Sequence, residues 1–220
     1  MRILDEAKKA VETHSAKITA KEFYKMVSEN PSVFKEWNTP LEITEYIECS
    51  RSIRYPNIQK ITHLSKHLTF SGKNKAGTAA DFYGCKDLET ATGTYHGYVS
   101  FGDSGIKKIE DLHITNTDNG GWAACFEGCK NLEVATGTYP GGVNFLDSGI
   151  HSIYNLQIEK ANIHGNYASF RDCTKLKNLQ EWDLSKQIQI EPEKIEAEIK
   201  RRQALKTYVN KSQPEELPFL

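Results

Sequence analysis

The apolar and polar positions between residues 79 and 158 repeat with a period of 44 residues. Of the 36 positions from Ala79 to Ile114, 23 are identical in the second copy, which starts at Ala123. A third, truncated copy begins at Ala168 and repeats three apolar positions at the same interval: Phe170, Cys173 and Leu176. A fixed period of this length predicts stacked units, because one unit cannot bury its apolar face alone.

Each 44-residue unit divides into two half-units with different apolar spacing. The first has the pattern Phe82-x-x-Cys85-x-x-Leu88, and the second contains Ile106, Ile109 and Leu112. If Ile106 is the counterpart of Cys85, coils that span 21 and 23 positions alternate. Coils of roughly 20 to 29 residues with this spacing are typical of a short strand and turn stacked in parallel, as in leucine-rich repeats.

The sequence therefore predicts an α/β repeat solenoid over residues 58–188, a leucine-rich-repeat-like stack of about six short coils with parallel strands. The count includes an imperfect first coil at residues 58–70. A β-helix-like stack with two parallel sheets remains open as a variant of the same fold.

Helical patterns flank the predicted stack. Residues 1–57 are interpreted as a helical N-terminal cap, in which Thr19–Glu22 is a capping box and Asn30-Pro31 ends the helix. A second capping box is predicted at Thr39–Glu42, with Pro40 as the first helical residue. A C-terminal capping helix is predicted over 189–212, followed by a flexible tail at 213–220.

The repeat also predicts which side chains are buried. Apolar positions that are identical between copies should face the core, and Phe82, Phe126 and Phe170 should form one column. The other predicted inward positions are Leu88, Leu132, Leu176, Val99, Val143, Ile109, Ile153, Leu112 and Leu156. Asp103 and Asp147 are each followed by Ser-Gly and predict turns in which glycine takes a positive φ.

Positions that differ between copies, together with the threonines beside the repeated glycines, are predicted to face a partner. The candidate partner-binding residues on the predicted strands are Thr92, Thr94, His113, Thr115, Thr136, Thr138, Gln157 and Glu159. Three aromatic residues at non-repeating positions complete the set: Tyr98, Trp122 and Tyr154. Exposed aromatic side chains often anchor interfaces, so truncating Trp122 should weaken binding and leave stability nearly intact.

Composition and motifs argue against several functional classes. A net charge of −1 offers no basis for a nucleic-acid or membrane partner. Because no signal-peptide or membrane-spanning run is present, we expect a cytoplasmic protein, with delivery into a host cell as a further possibility. Three of the five cysteines share one repeat position and are expected to be buried thiols, and no histidine recurs at the period. We predict no enzymatic activity, catalytic residue, metal or cofactor.

The segments FYGCKDLETA, FEGCKNLEVA and FRDCTKLKNL resemble the repeat unit of BspA-like bacterial leucine-rich-repeat proteins. The resemblance implies recognition of a protein or a surface, without catalytic residues. We therefore expect a non-enzymatic scaffold that binds a protein partner across its outward strand face. A bacterial or phage effector or inhibitor that acts on a host protein, and a carbohydrate or surface adhesin, remain alternatives.

Overall fold

The computed structural model describes residues 16–49, 57–176 and 188–189, the last pair by its backbone alone. These residues form one α-helix, a short 3₁₀ helix at Ile58–Lys60 and a series of short strands. The elements are β1 (Ala16–Ile18), α1 (Ala20–Glu29), β2 (Leu41–Ile43), β3 (Ile47–Glu48), β4 (Leu68–Phe70), β5 (Thr78–Asp81), β6 (Thr90–Tyr95), β7 (Tyr98–Ser100), β8 (Lys108–Ile114), β9 (Trp122–Cys125), β10 (Val134–Tyr139), β11 (Gly142–Asn144), β12 (Ser152–Ile158), β13 (Ala168–Ser169) and β14 (Ile188–Gln189).

The strands form three parallel sheets. A five-stranded sheet has the order β1-β2-β4-β6-β8, a two-stranded sheet pairs β10 with β12, and a seven-stranded sheet runs β14-β13-β11-β9-β7-β5-β3. From β5 to β11, each strand in the seven-stranded sheet is followed by a strand in one of the other two sheets. The prediction of parallel strands is confirmed.

A column of stacked phenylalanine rings fills the core. Ring centroids are 5.6 Å apart for Phe82 and Phe101, and 5.4 Å for Phe101 and Phe126. The stack continues through Phe145 to Phe170 at 5.3 and 5.2 Å, and every ring in it is at most 1% exposed. The predicted column is confirmed, with one ring from the intervening half-unit inserted between each predicted pair.

This column corrects the predicted coil lengths. Phe101 lies 19 positions after Phe82 and 25 positions before Phe126. The strand register agrees, since Val99 pairs with both Ala80 and Ala124. The counterpart of Cys85 is therefore Ser104, three positions after its phenylalanine, and not Ile106. The predicted alternation of 21 and 23 positions is wrong; the lengths are 19 and 25.

Every half-unit from Phe82 onward has the pattern Phe-x-Gly/Asp-Cys/Ser, and its third residue has a positive φ. These residues are Gly84, Asp103, Gly128, Asp147 and Asp172. The turns predicted at Asp103 and Asp147 are confirmed, but the aspartate, and not the glycine two positions later, adopts the left-handed backbone. Gly105 has a different role, because a Cβ there would lie 1.9 Å from the carbonyl oxygen of Lys86.

The repeated cysteines are buried thiols, as predicted. Cys129 Sγ donates a hydrogen bond to the carbonyl oxygen of Phe101 at 3.0 Å, and Cys173 Sγ donates to that of Phe145 at 2.9 Å. Ser104 and Ser148 are buried between them, and their hydroxyls lie 3.5 and 3.3 Å from the next thiol. Burial raises the pKa of Cys129 to about 11, which keeps the thiol protonated.

The N-terminal segment agrees with its prediction only in part. Thr19 and Glu22 form the capping box, with Thr19 N–H donating to Glu22 Oε2 at 2.7 Å, and α1 ends at Glu29 as predicted. The buried face of α1 carries Phe23, which stacks on Phe34 with ring centroids 5.2 Å apart.

The second capping box is wrong, because residues 41–43 form β2. Leu41 and Ile43 are buried on either side of Glu42, an alternation that suits a strand between β1 and β4. The predicted boundary at residue 58 therefore does not separate helices from strands, since β1 and β2 belong to the five-stranded sheet. The predicted helix at 189–212 and tail at 213–220 lie outside the described residues, except for Gln189 in β14.

The burial map is confirmed for most predicted inward positions. Ile109, Leu112, Leu156 and Leu176 are corrections, because they are only half-buried. Leu112 and Leu156 each follow a residue of positive φ, Asp111 or Asn155, where the strand register shifts. This irregularity turns the strand and interrupts the inward alternation that the sequence suggested.

Candidate functional site

Six of the predicted partner-binding residues share one surface, which we name the strand face: Thr94, His113, Thr115, Thr138, Gln157 and Glu159. Strand alternation explains their orientation, because buried Tyr95, Ile114, Tyr139 and Ile158 separate or flank them. Thr94 pairs in register with His113, and Thr138 with Gln157. All are exposed except Thr94, which is half-buried.

The strand face continues toward the N-terminus along the same register. Thr94 pairs with Thr69, Thr69 with Glu42 and Glu42 with Lys17. Lys17 Nζ lies 3.0 Å from a Glu42 carboxylate oxygen, and Ser71 Oγ donates to the other oxygen at 2.7 Å. The hydrogen bond from Ser71, followed by that from Lys17, lowers the pKa of Glu42, so this end of the face carries one paired charge of each sign.

Thr115 and Glu159 also line a cavity of about 310 Å³ at the ends of β8 and β12, with Pro140 and Gly141 in its wall.

In the first copy, His96 N–H donates to the carbonyl oxygen of Phe70 at 3.0 Å. Pro140 occupies the equivalent position and has no N–H. The backbone hydrogen bond that His96 makes in the first copy therefore cannot form at Pro140, and β8 and β10 belong to different sheets.

Two of the predicted threonines do not reach the strand face. Thr92 is a correction, because it is only 6% exposed. Two residues of β8, Glu110 and Asp111, lie opposite Thr92 in the register, and its hydroxyl donates to the Asp111 carbonyl oxygen at 3.5 Å. Thr136 occupies the equivalent position in the second copy and is half-buried.

The three aromatic candidates do not lie on one surface. Tyr154 is 59% exposed and lies on β12, beside the shift in register. Tyr98 and Trp122 lie on the seven-stranded sheet, so they are not brought together with the strand face. Both are half-buried and not freely exposed as predicted, and burial raises the pKa of Tyr98 well above its usual value.

Tyr98 and Trp122 are the large members of two equivalent strand pairs. Thr78 pairs with Tyr98 in the first copy, whereas Trp122 pairs with Gly142 in the second. A Cβ on Gly142 would lie 3.1 Å from the Trp122 ring. From the first copy to the second, a small residue is exchanged for a large one at the first position and a large residue for a small one at the second. This compensation could have been detected by comparing the copies in pairs of positions.

The sequence predictions do not include a ladder of loops in which a side chain caps backbone N–H groups. Asn74, Asp118 and Asn162 are 44 residues apart, and the side-chain oxygen of each accepts two backbone N–H groups at 2.8–3.0 Å. Adjacent loops bond each other, because Asn119 N–H donates to Ala76 and Ile163 N–H to Gly120. The recurrence of Asn or Asp at the repeat period was the available signal.

The described part of the chain holds no group of three metal-binding side chains and no helix long and apolar enough to span a membrane. Its strand face instead presents hydroxyl, imidazole, amide and carboxylate groups suited to hydrogen bonding. Comparison with protein-family models, curated proteins and solved structures finds no match to this chain.

Proposed function

We propose that this protein is a non-enzymatic scaffold that binds a protein partner across the strand face. The fold proposed with it is a leucine-rich-repeat-like solenoid, related to the BspA-like proteins whose repeat unit the sequence resembles. The observation that carries the proposal is the shared outward orientation of six polar side chains over a close-packed core, four of them paired in strand register and two at the residues that follow β8 and β12.

The composition of the strand face favours a protein over a sugar. Threonine, histidine, glutamine and glutamate lie on β6, β8, β10 and β12 or directly after β8 and β12, which suits the mixed polar contacts of a protein interface. Sugar-binding surfaces rely on aromatic rings, but Tyr98 and Trp122 are half-buried on another sheet and Tyr154 is isolated at the register shift.

The proposal is tested by affinity capture with the wild-type chain and a triple variant, His113→Ala, Gln157→Ala and Glu159→Ala. The matched control replaces three exposed residues of other segments: Glu127, Arg171 and Lys175. We expect the variant of the strand face to lose at least tenfold of the captured partner and the control to retain it. The purified partner is then titrated against all three proteins, whose folding is checked by circular dichroism.

The same experiment separates the alternatives. Capture from extracts of a host cell, but not from those of the organism that makes the protein, supports an effector. Binding to immobilised glycans that survives the triple substitution supports an adhesin and contradicts the proposal. Equal binding by the face variant and the control shows that the interface lies elsewhere.

A further inference from the structure

A second cavity, of about 490 Å³, lies near the starts of β6 and β8 and is lined by no residue of the strand face. Its wall combines the segment after α1, the chain before β4 and the turns that precede β6 and β8. The lining residues that carry the argument are Lys35, Thr62, His63, Lys86, Glu89 and Lys107.

The cavity wall is positively charged overall. Three lysines lie with two carboxylates, Asp87 and Glu89, which leaves one positive charge. Lys107 Nζ is 2.7 Å from Glu89 Oε1, and this contact holds the pKa of Glu89 below its usual value. Among the described residues, Lys35 and Lys86 form no ion pair, so both ammonium groups are available to a ligand.

A comparison of the two copies explains why Lys86 is unpaired. In the second copy, Lys130 forms an ion pair with Asp147. In the first copy, the hydroxyl of Tyr83 donates to Asp103, which is the equivalent carboxylate. Glu127 replaces Tyr83 in the second copy. Only in the first copy, therefore, does a tyrosine bind the carboxylate and leave the lysine, Lys86, without it.

Neutral groups add hydrogen-bonding capacity beside these charges. Ser32 Oγ is 3.0 Å from Thr62 Oγ1, which is also 2.8 Å from His63 Nδ1. Burial, and then the charge of Lys35, lower the pKa of His63, which favours the neutral ring. A bound anion would favour protonation of the His63 ring, and the charged ring would then bind the anion more strongly.

We propose that this cavity binds a phosphate group, either as inorganic phosphate or as a monoester on a small molecule. Lysine ammonium groups act as point charges for phosphate, and here they come from three separate segments around one space. The Ser32 hydroxyl supplies a donor that a purely electrostatic surface would lack, whereas the Thr62 hydroxyl already donates to the carbonyl oxygen of Pro31 at 3.3 Å.

The test is calorimetric titration of the full chain with inorganic phosphate and with O-phosphoserine at low ionic strength. Lys86→Ala is expected to weaken binding about tenfold, equivalent to about 1.4 kcal/mol. The matched control is Lys130→Ala, which removes the equivalent lysine from the second copy and should change the affinity less than twofold.

Absence of a saturable heat with either probe, or equal weakening by Lys86→Ala and Lys130→Ala, would overturn this proposal. Tighter binding of O-phosphoserine would identify a monoester as the ligand, and preference for inorganic phosphate the free ion. The triple variant of the strand face should retain phosphate binding. A failure of the phosphate site is therefore distinguishable from a failure of the proposed function.

Discussion

The two copies of the repeat are nearly identical inside and differ outside in compensating ways. Thr78 and Tyr98 are replaced by Trp122 and Gly142, which conserves one large side chain across two paired strands. Asp103 contacts Tyr83, whereas Asp147 contacts Lys130. A difference between copies is thus not by itself evidence of a binding residue, because in these two cases it changes the packing or bonding partner.

The largest expected effect tests the core that the copies share. Phe126→Ala should lower the free energy of unfolding by about 3–5 kcal/mol, because its ring is stacked on both sides and leaves a cavity. Trp122→Ala should lower it by about 1–2 kcal/mol, since only part of that ring is buried. Urea denaturation measures both, and equal losses would show that the assigned burial is wrong.

An exchange at one equivalent position tests the separation of the sheets. His96→Pro removes the N–H that bonds the Phe70 carbonyl oxygen and should destabilise the protein by about 1–3 kcal/mol. Pro140→His should stabilise it by up to about 1 kcal/mol by restoring the donor. Denaturation, and protection from hydrogen exchange of the amide introduced at position 140, check the pair; an unprotected amide would contradict this account.

The smallest expected effect concerns the hydrogen bond from the Tyr83 hydroxyl to Asp103, the bond that keeps Asp103 from pairing with Lys86. The hydrogen bond to Asp103 raises the pKa of Tyr83, so its stabilising effect is present below the usual tyrosine pKa and is lost as pH rises through the raised value. Asp103→Asn should lower the Tyr83 pKa toward its usual value. A ¹³C NMR titration of labelled tyrosine measures this.

Asp147→Asn is the control for the tyrosine titration, because the carboxylate it removes contacts Lys130 in the second copy. It should leave the pKa of Tyr83 unchanged. Equal shifts in the two variants would mean that a general change in charge, rather than the hydrogen bond, sets the Tyr83 pKa.

The column of phenylalanines could be predicted because identity between copies directly marks positions that packing constrains. The register between half-units could not be obtained from apolar spacing, since Ser104 replaces a cysteine and a search for apolar residues selects Ile106 two positions later. A serine can occupy that position because it is buried beside Cys129, where its hydroxyl has a sulfur neighbour at 3.5 Å.

The candidate binding residues were harder to predict than the core. Alternation correctly predicts His113, Thr115, Gln157 and Glu159 as exposed, because it is a local property of strands. The prediction that Thr92 is exposed is wrong, since its burial depends on two residues of the neighbouring strand rather than one. Lys86 could not be recognised either, because its lack of an ion pair depends on a tyrosine at a different position in the unit.

The ladder of Asn74, Asp118 and Asn162 has a consequence for how such a chain can lengthen. Each of these loops meets its neighbours through backbone groups that recur only once per 44 residues. Duplication of a whole module would present matching donors and acceptors at both junctions. Duplication of a single half-unit would set a tight turn against a long loop, so growth in evolution or in design should proceed by complete modules.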